Sequence, residues 1–230
     1  MRVQTMLLTT LSMFAAGLGL AAMPGGGGSN MNMGSMNMPS QSPQERAAAA
    51  YNSGVNNVKR ADALDAAAAQ ETDAKKHDKA LKKAHYAYVD ARRDFEDATH
   101  ASPNLPEAWN ALGYTQRKLG ECDASLKSYD RALALRPGFP EALEYRGEAY
   151  LGLNRVEDAK QVYLDLFATN RALSDQLMQA IKTWIDVQRK SSGSHDTATV
   201  DGLDKWVQER SQIAAQTAAL TRAGAPASWH

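Results

Sequence analysis

Residues 106–139 read PEAWNALGYTQRKLGECDASLKSYDRALALRPGF, and residues 140–170 follow as PEALEYRGEAYLGLNRVEDAKQVYLDLFATN. A shift of 34 positions places identical residues on one another: Pro106 on Pro140, Gly113 on Gly147, Tyr129 on Tyr163. A fixed period of this length, built from two helical segments, is typical of an array of helix–turn–helix repeats.

The composition favours helices throughout the chain. The 230 residues are rich in alanine, which loses no side-chain entropy on entering a helix. The 26 basic and 26 acidic side chains balance, so charge gives no reason to expect a nucleic-acid partner. The single cysteine, Cys122, excludes an intramolecular disulfide and is expected to pack as a small apolar side chain at a turn.

Both copies space their small and aromatic residues in a way that resembles the pattern of the tetratricopeptide repeat family. The first copy carries that family's pattern at Trp109, Leu112, Gly113, Gly120, Tyr129, Ala132 and Pro137, and the second carries it at Gly147, Tyr150, Ala159 and Tyr163. Gln116 and Ser125 depart from it. The resemblance implies an all-α fold, a short α-solenoid of helical hairpins whose first helices line a concave groove.

Carried over by position, this groove is lined by residues from both copies: Glu107, Asn110, Tyr114, Arg117 and Lys118, then Glu141, Glu144, Glu148 and Leu151. The three glutamates of the second copy are three and four residues apart, which places them in one helical stripe. The resemblance therefore implies a protein or peptide partner with a basic group. The alternative is that these glutamates only decorate a solvated helix face.

A stretched hairpin is expected upstream, over residues 42–105. Gly54 and Pro103 match the first-helix glycine and the closing proline of a repeat, but they are 49 residues apart, against 24 from Gly113 to Pro137. Dividing the 25 extra residues between two helices predicts antiparallel helices over 43–71 and 74–101, each longer by roughly 18 Å. Its lysine-rich tip is either a solvated face or a contact for an anionic surface.

The C-terminal part is expected to cap the repeats of residues 106–171. Apolar residues keep helical spacing through Leu173, Leu177, Ile181 and Trp184, and again around Trp206. Because the end repeat of an array leaves one face open, these helices over 172–222 are predicted to shield it, with the two tryptophans packed on each other or on the last repeat. Residues 223–230 are a predicted tail.

The N-terminus is predicted to be a secretory signal peptide over residues 1–22. Arg2 precedes an apolar run from Met6 to Leu20, and small residues follow. A membrane anchor is the alternative, but the run is shorter and more polar than the roughly 20 apolar residues that a span needs. We therefore expect a periplasmic or secreted protein.

Residues 23–41 form a low-complexity linker rich in glycine, asparagine and methionine. Four methionines fall within eight residues: Met31, Met33, Met36 and Met38. Thioether sulfur suits Cu(I), so a copper-binding or metal-delivery function is one hypothesis for this segment, and a functionless tail is the other. The sequence shows no phosphate loop and no nucleophile with a neighbouring histidine, so we expect a non-enzymatic adaptor.

Overall fold

A computed structural model describes residues 41–191 and 197–223, with side chains to residue 217. In these ranges it holds eight α-helices and no strand, which confirms the all-α prediction. The helices are α1 (Pro43–Gln70), α2 (Ala74–Ala101), α3 (Pro106–Lys118), α4 (Cys122–Leu135), α5 (Pro140–Gly152), α6 (Val156–Thr169), α7 (Arg171–Lys190) and α8 (Thr197–Ala223). Two compact units divide them, α1 to α4 and α5 to α8.

The long helices of the first hairpin begin at caps that the sequence encodes. The Ser42 hydroxyl accepts a bond from the Glu45 N–H, and the Glu45 carboxylate accepts one from the Ser42 N–H. Asp73 caps the returning helix by accepting from the Lys76 N–H at 3.0 Å. The predicted range of α2 is confirmed. The first helix ends one residue before the predicted position, because Glu71 adopts an extended conformation.

The first unit repeats one close contact in both of its hairpins. A side-chain carbon added at Gly54 would lie 2.6 Å from the ring of Phe95 on the opposite helix. At Gly113 it would lie 2.6 Å from the ring of Tyr129. Glycine is therefore required at both positions for an aromatic ring to seat against the first helix. The stretched hairpin α1–α2 thus uses the same internal contact as α3–α4.

The core of the first unit runs from α1 and α2 into α3. Tyr51 and Phe95 pack with their ring centroids 5.7 Å apart. The cluster around them consists of buried side chains from all three helices, including Val58, Ala91, Ala98, Ala108, Ala111 and Leu112. Because alanine dominates this list, the helices can pack closely along their length.

The second unit packs α7 against both helices of the second repeat. A side-chain carbon added at Gly147 would lie nearest to Leu177 on α7 and to Val162. The 34-residue register predicts Tyr163 at this place, because Tyr129 is the neighbour of Gly113. Tyr163 instead meets Trp206 of α8 edge to face, with centroids 5.2 Å apart. Of the two arrangements considered for Trp206, the structure therefore shows packing on the repeat. Trp184 is buried in the same cluster.

None of the helices in the described ranges combines the length and the apolar character needed to cross a membrane. The predicted signal peptide, most of the linker (residues 23–40) and nearly all of the tail (residues 224–230) lie outside the described residues.

Candidate binding surface

The nine residues predicted to line a groove lie on α3 and α5, the first helices of the two repeats. Five of them are partly exposed: Glu107, Tyr114, Arg117, Glu141 and Glu148. The other four have little exposure: Asn110, Lys118 by its side chain, Glu144 and Leu151. Whether these residues line one groove stays a prediction. Only the five partly exposed residues are accessible enough to contact a partner directly.

Lys118 is held by the stretched hairpin. Its ammonium group forms an ion pair with Asp65 at 3.0 Å and lies 3.9 Å from Asp62, and its side chain is only 6% exposed. Both carboxylates lie on α1, beyond the part of that helix that a repeat of ordinary length would have. The extra length of α1 therefore supplies the partners that neutralise a buried lysine on α3.

Two tyrosines complete the cluster around this lysine. The Tyr88 hydroxyl donates to Asp62 at 2.5 Å, and it lies 2.9 Å from Asp65. The Tyr114 hydroxyl donates to Asp62 at 2.8 Å. The Lys118 ammonium also lies 4.8 Å from the centre of the Tyr88 ring. We call these five residues the Lys118 cluster.

Burial controls the protonation of the Lys118 cluster. Loss of solvent lowers the pKa of Lys118, and the neighbouring Asp65 and Asp62 carboxylates oppose that shift without cancelling it. Burial is also the main cause that raises the pKa of Tyr88, followed by the charges around it. The Tyr88 hydroxyl therefore keeps its proton at neutral pH and can donate to the carboxylates. The cluster joins three helices, α1, α2 and α3.

Of the other polar residues predicted on α3, Glu107 and Arg117 contact neighbours in the same unit, whereas Asn110 has an unsatisfied oxygen. Glu107 pairs with Arg136, the residue that ends α4. The Arg117 guanidinium lies 5.4 Å from the centre of the Tyr114 ring. The Asn110 carbonyl oxygen is buried without a hydrogen-bond partner among the described residues. A buried acceptor left in this state costs about 1–3 kcal/mol, which a donor from water or a ligand would recover.

The acidic stripe on α5 is divided by burial. Glu144 is only 2% exposed, whereas Glu141 and Glu148 on either side of it are partly exposed. Leu151, the fourth residue predicted on this helix, lies in the apolar cluster of the second unit with Val162 and Leu166. The accessible acidic groups of α5 are therefore two turns apart, about 10 Å along the helix.

Sequence reasoning missed Asp62, Asp65 and Tyr88. One feature of the sequence could have identified Asp65. It lies four residues after Ala61 and three before Ala68, so the helical spacing places this charged residue on the buried face of α1. No metal-binding group of three or more histidine, cysteine or acidic side chains occurs within residues 41–191 and 197–217. The four methionines proposed for Cu(I) lie outside the described residues.

A comparison with known families matches residues 106–139 to the tetratricopeptide repeat. The matched range is the first of the two copies that define the period, and it contains α3 and α4. Repeats of this type generally mediate contacts between proteins. No curated protein matches the chain.

Proposed function

We propose that this protein is a non-enzymatic adaptor that binds a protein or peptide partner on the partly exposed faces of α3 and α5. The observation that carries the proposal is the tetratricopeptide repeat at residues 106–139, a unit used for protein contacts. The helical hairpins support it, because paired helices present rows of side chains at regular spacing to an extended or helical ligand.

The accessible side chains indicate what kind of ligand would fit. On α5, Glu141 and Glu148 present two carboxylates about 10 Å apart. On α3, Tyr114 and Arg117 present a stacked aromatic and guanidinium pair. A segment with basic residues two helical turns apart would match the acidic pair. We therefore propose a partner whose contacting segment is basic where it meets α5.

Affinity purification with the full chain as bait tests this surface. We expect a captured partner to be lost when Glu141 and Glu148 are both changed to lysine, because the reversal replaces attraction by repulsion. Glu157→Lys with Asp165→Lys is the matched control, since it makes the same charge change on the exposed face of α6. Capture that survives the α5 change, or that both double variants lose equally, would count against the proposed surface.

Export is a separate part of the proposal. It is supported by the charged start and apolar run of residues 1–22, which resemble a secretory signal. The cell envelope or the medium is where we expect the mature chain, with a new N-terminus close to residue 23. N-terminal sequencing of the purified protein measures this directly. A chain that keeps Met1 in the cytosolic fraction would contradict export.

A further inference from the structure

The first half of α2 presents a strongly basic face to solvent. Residues 74–86 contain five lysines and one acid, Asp78, for a net charge of +4. Lys75, Lys79, Lys82 and Tyr86 follow one another at intervals of four, three and four residues, which places them in a single stripe. Lys76 and Lys83 flank this stripe. We call these six side chains the α2 basic face.

All six members of the α2 basic face are exposed, and Tyr86 is exposed by 57%. On the opposite side of the same helix Ala84 and Ala87 are buried against the hairpin, which fixes the orientation of the lysines. An exposed aromatic ring among lysines is unusual here, because Tyr86 is one of only three large apolar side chains found exposed in the described residues.

The positive charge of this face is not neutralised within the part of the chain that the structure describes. None of its five lysines forms an ion pair there. The nearby acids have other contacts: Asp73 caps α2, Glu71 accepts from the Asp73 N–H, and Asp78 contacts His77 at 3.2 Å. Other exposed lysines, such as Lys59 and Lys127, occur singly.

From this geometry we infer that the α2 basic face binds the phosphate-bearing surface of an anionic lipid bilayer. The inference is independent of the adaptor function proposed above. Clustered lysines near an anionic bilayer each add attraction, and an aromatic ring with a polar hydroxyl suits the headgroup layer. The face lies at the start of α2, next to the turn of the hairpin, where all six side chains are open to solvent.

The residue types favour a lipid surface over a folded acidic protein. All five cations are lysines, which act as hydrated point charges, and none is an arginine, the residue suited to bidentate recognition of defined carboxylates. The face extends about 16 Å along the helix from Lys75 to Tyr86. Six side chains are also far fewer than the roughly 20–30 residues per side of a standard protein interface.

Vesicle binding of the full chain tests the inference. Co-sedimentation is measured with phosphatidylcholine vesicles that contain either roughly 30% phosphatidylglycerol, which makes their surface anionic, or none. The measured quantity is the difference in bound protein between vesicles with and without phosphatidylglycerol. Any binding through the apolar N-terminal run contributes equally to both kinds of vesicle and cancels in this difference. We expect this gain to fall steeply as salt is raised from low to physiological strength.

The triple variant Lys75→Gln, Lys79→Gln, Lys82→Gln removes the centre of the face. At about fivefold per lysine, it is expected to weaken the phosphatidylglycerol-dependent partition coefficient by roughly a hundredfold. Lys59→Gln, Lys127→Gln, Lys205→Gln is the matched control, because it makes the same change in net charge at exposed positions on three other helices. Circular dichroism verifies that both variants remain helical.

Tyr86→Ala supplies a second readout. We expect it to weaken vesicle binding by an amount that changes little with salt, because the ring contributes an apolar contact with the headgroup layer. The inference is overturned if the two triple variants lose binding equally, which would indicate only net charge. It is also overturned if the full chain shows no gain from phosphatidylglycerol. Binding of polyglutamate through the same lysines would then show that the face recognises acidic peptides.

Discussion

At the scale of single residues, Lys118 is a buried charge whose partners come from another helix. This lysine lies on the helix whose exposed face we propose for binding, yet Asp65 and Asp62 of α1 surround its ammonium group. An ion pair this deep contributes little net stability while intact, but removing one partner leaves the other charge buried and uncompensated. The residue is therefore a connection between the long hairpin and the repeat.

Lys118→Met is expected to lower the free energy of unfolding by about 3 kcal/mol, because it leaves Asp65 without its counter-charge. Combining it with Asp65→Asn should recover part of the loss, since the neutral amide needs no cation. Urea denaturation measures both. Lys127→Met is the matched control at an exposed position, with an expected effect within about 0.5 kcal/mol. Equal effects at Lys118 and Lys127 would contradict the importance of the pair.

The raised pKa of Tyr51 predicts how the free energy of unfolding changes at alkaline pH. Burial, and secondarily the Glu107 carboxylate, raises the pKa of Tyr51 to about 12 from its ordinary 10. With a folded pKa above the unfolded one, its contribution is complete below pH 10 and is lost as pH rises to about 12. A shift of this size corresponds to about 3 kcal/mol.

The measurement is urea denaturation of the wild type and of Tyr51→Phe at pH 8 and pH 11. The phenylalanine variant has no hydroxyl to ionise, so its stability should fall less between the two values. Tyr86→Phe removes an exposed hydroxyl and serves as the control. If wild type and Tyr51→Phe lose the same free energy, ionisation of this buried tyrosine does not limit alkaline stability.

At the scale of helices, the hairpins depend on glycines that admit an aromatic ring. Gly113→Ala is expected to destabilise the first unit by about 1–3 kcal/mol, because the new methyl group would lie 2.6 Å from the ring of Tyr129. Gly202→Ala should have the opposite sign, since nothing lies within 4 Å of that helical glycine and alanine favours helix by about 0.5–1 kcal/mol. Thermal denaturation compares them, and two effects of the same sign would contradict the contact.

The helices themselves were largely predictable from local sequence. The 34-residue period located α3 to α6, and the spacing from Gly54 to Pro103 located the reversal between α1 and α2. Local signals determine where a helix starts and stops. They do not determine which of its polar residues become buried, because burial depends on the register between helices.

The candidate surface was less predictable for this reason. Position within the repeat selected Lys118, Glu144 and Leu151 as contact residues, but it contained no information on the partners that bury them. Asp65 reaches Lys118 only because α1 is longer than an ordinary repeat helix, and Leu151 joins the core formed with α6 and α7. Tertiary contacts thus reduced a list of nine residues to five accessible ones.

At the scale of the whole molecule, two different ligands are proposed for two different surfaces. The first helices of the repeats are proposed to hold a protein partner, and the lysines near the tip of the long hairpin are proposed to hold an anionic bilayer. The residues varied in the two experiments are accessible: Glu141 and Glu148 are partly exposed and the lysines of α2 are exposed. Variants of one surface should therefore leave binding at the other unchanged, which the pull-down and vesicle experiments can verify on the same purified proteins.

The adaptor function is tested most directly by photo-crosslinking in intact cells. A photoreactive amino acid replaces Glu141 or Glu148 on α5, and in matched controls it replaces Lys127 on α4 or Gln161 on α6, which are exposed on the second helices of the repeats. The account predicts one discrete protein adduct from the two α5 positions and none from the controls. Adducts of equal yield from all four positions, or none from Glu141 and Glu148, would contradict it.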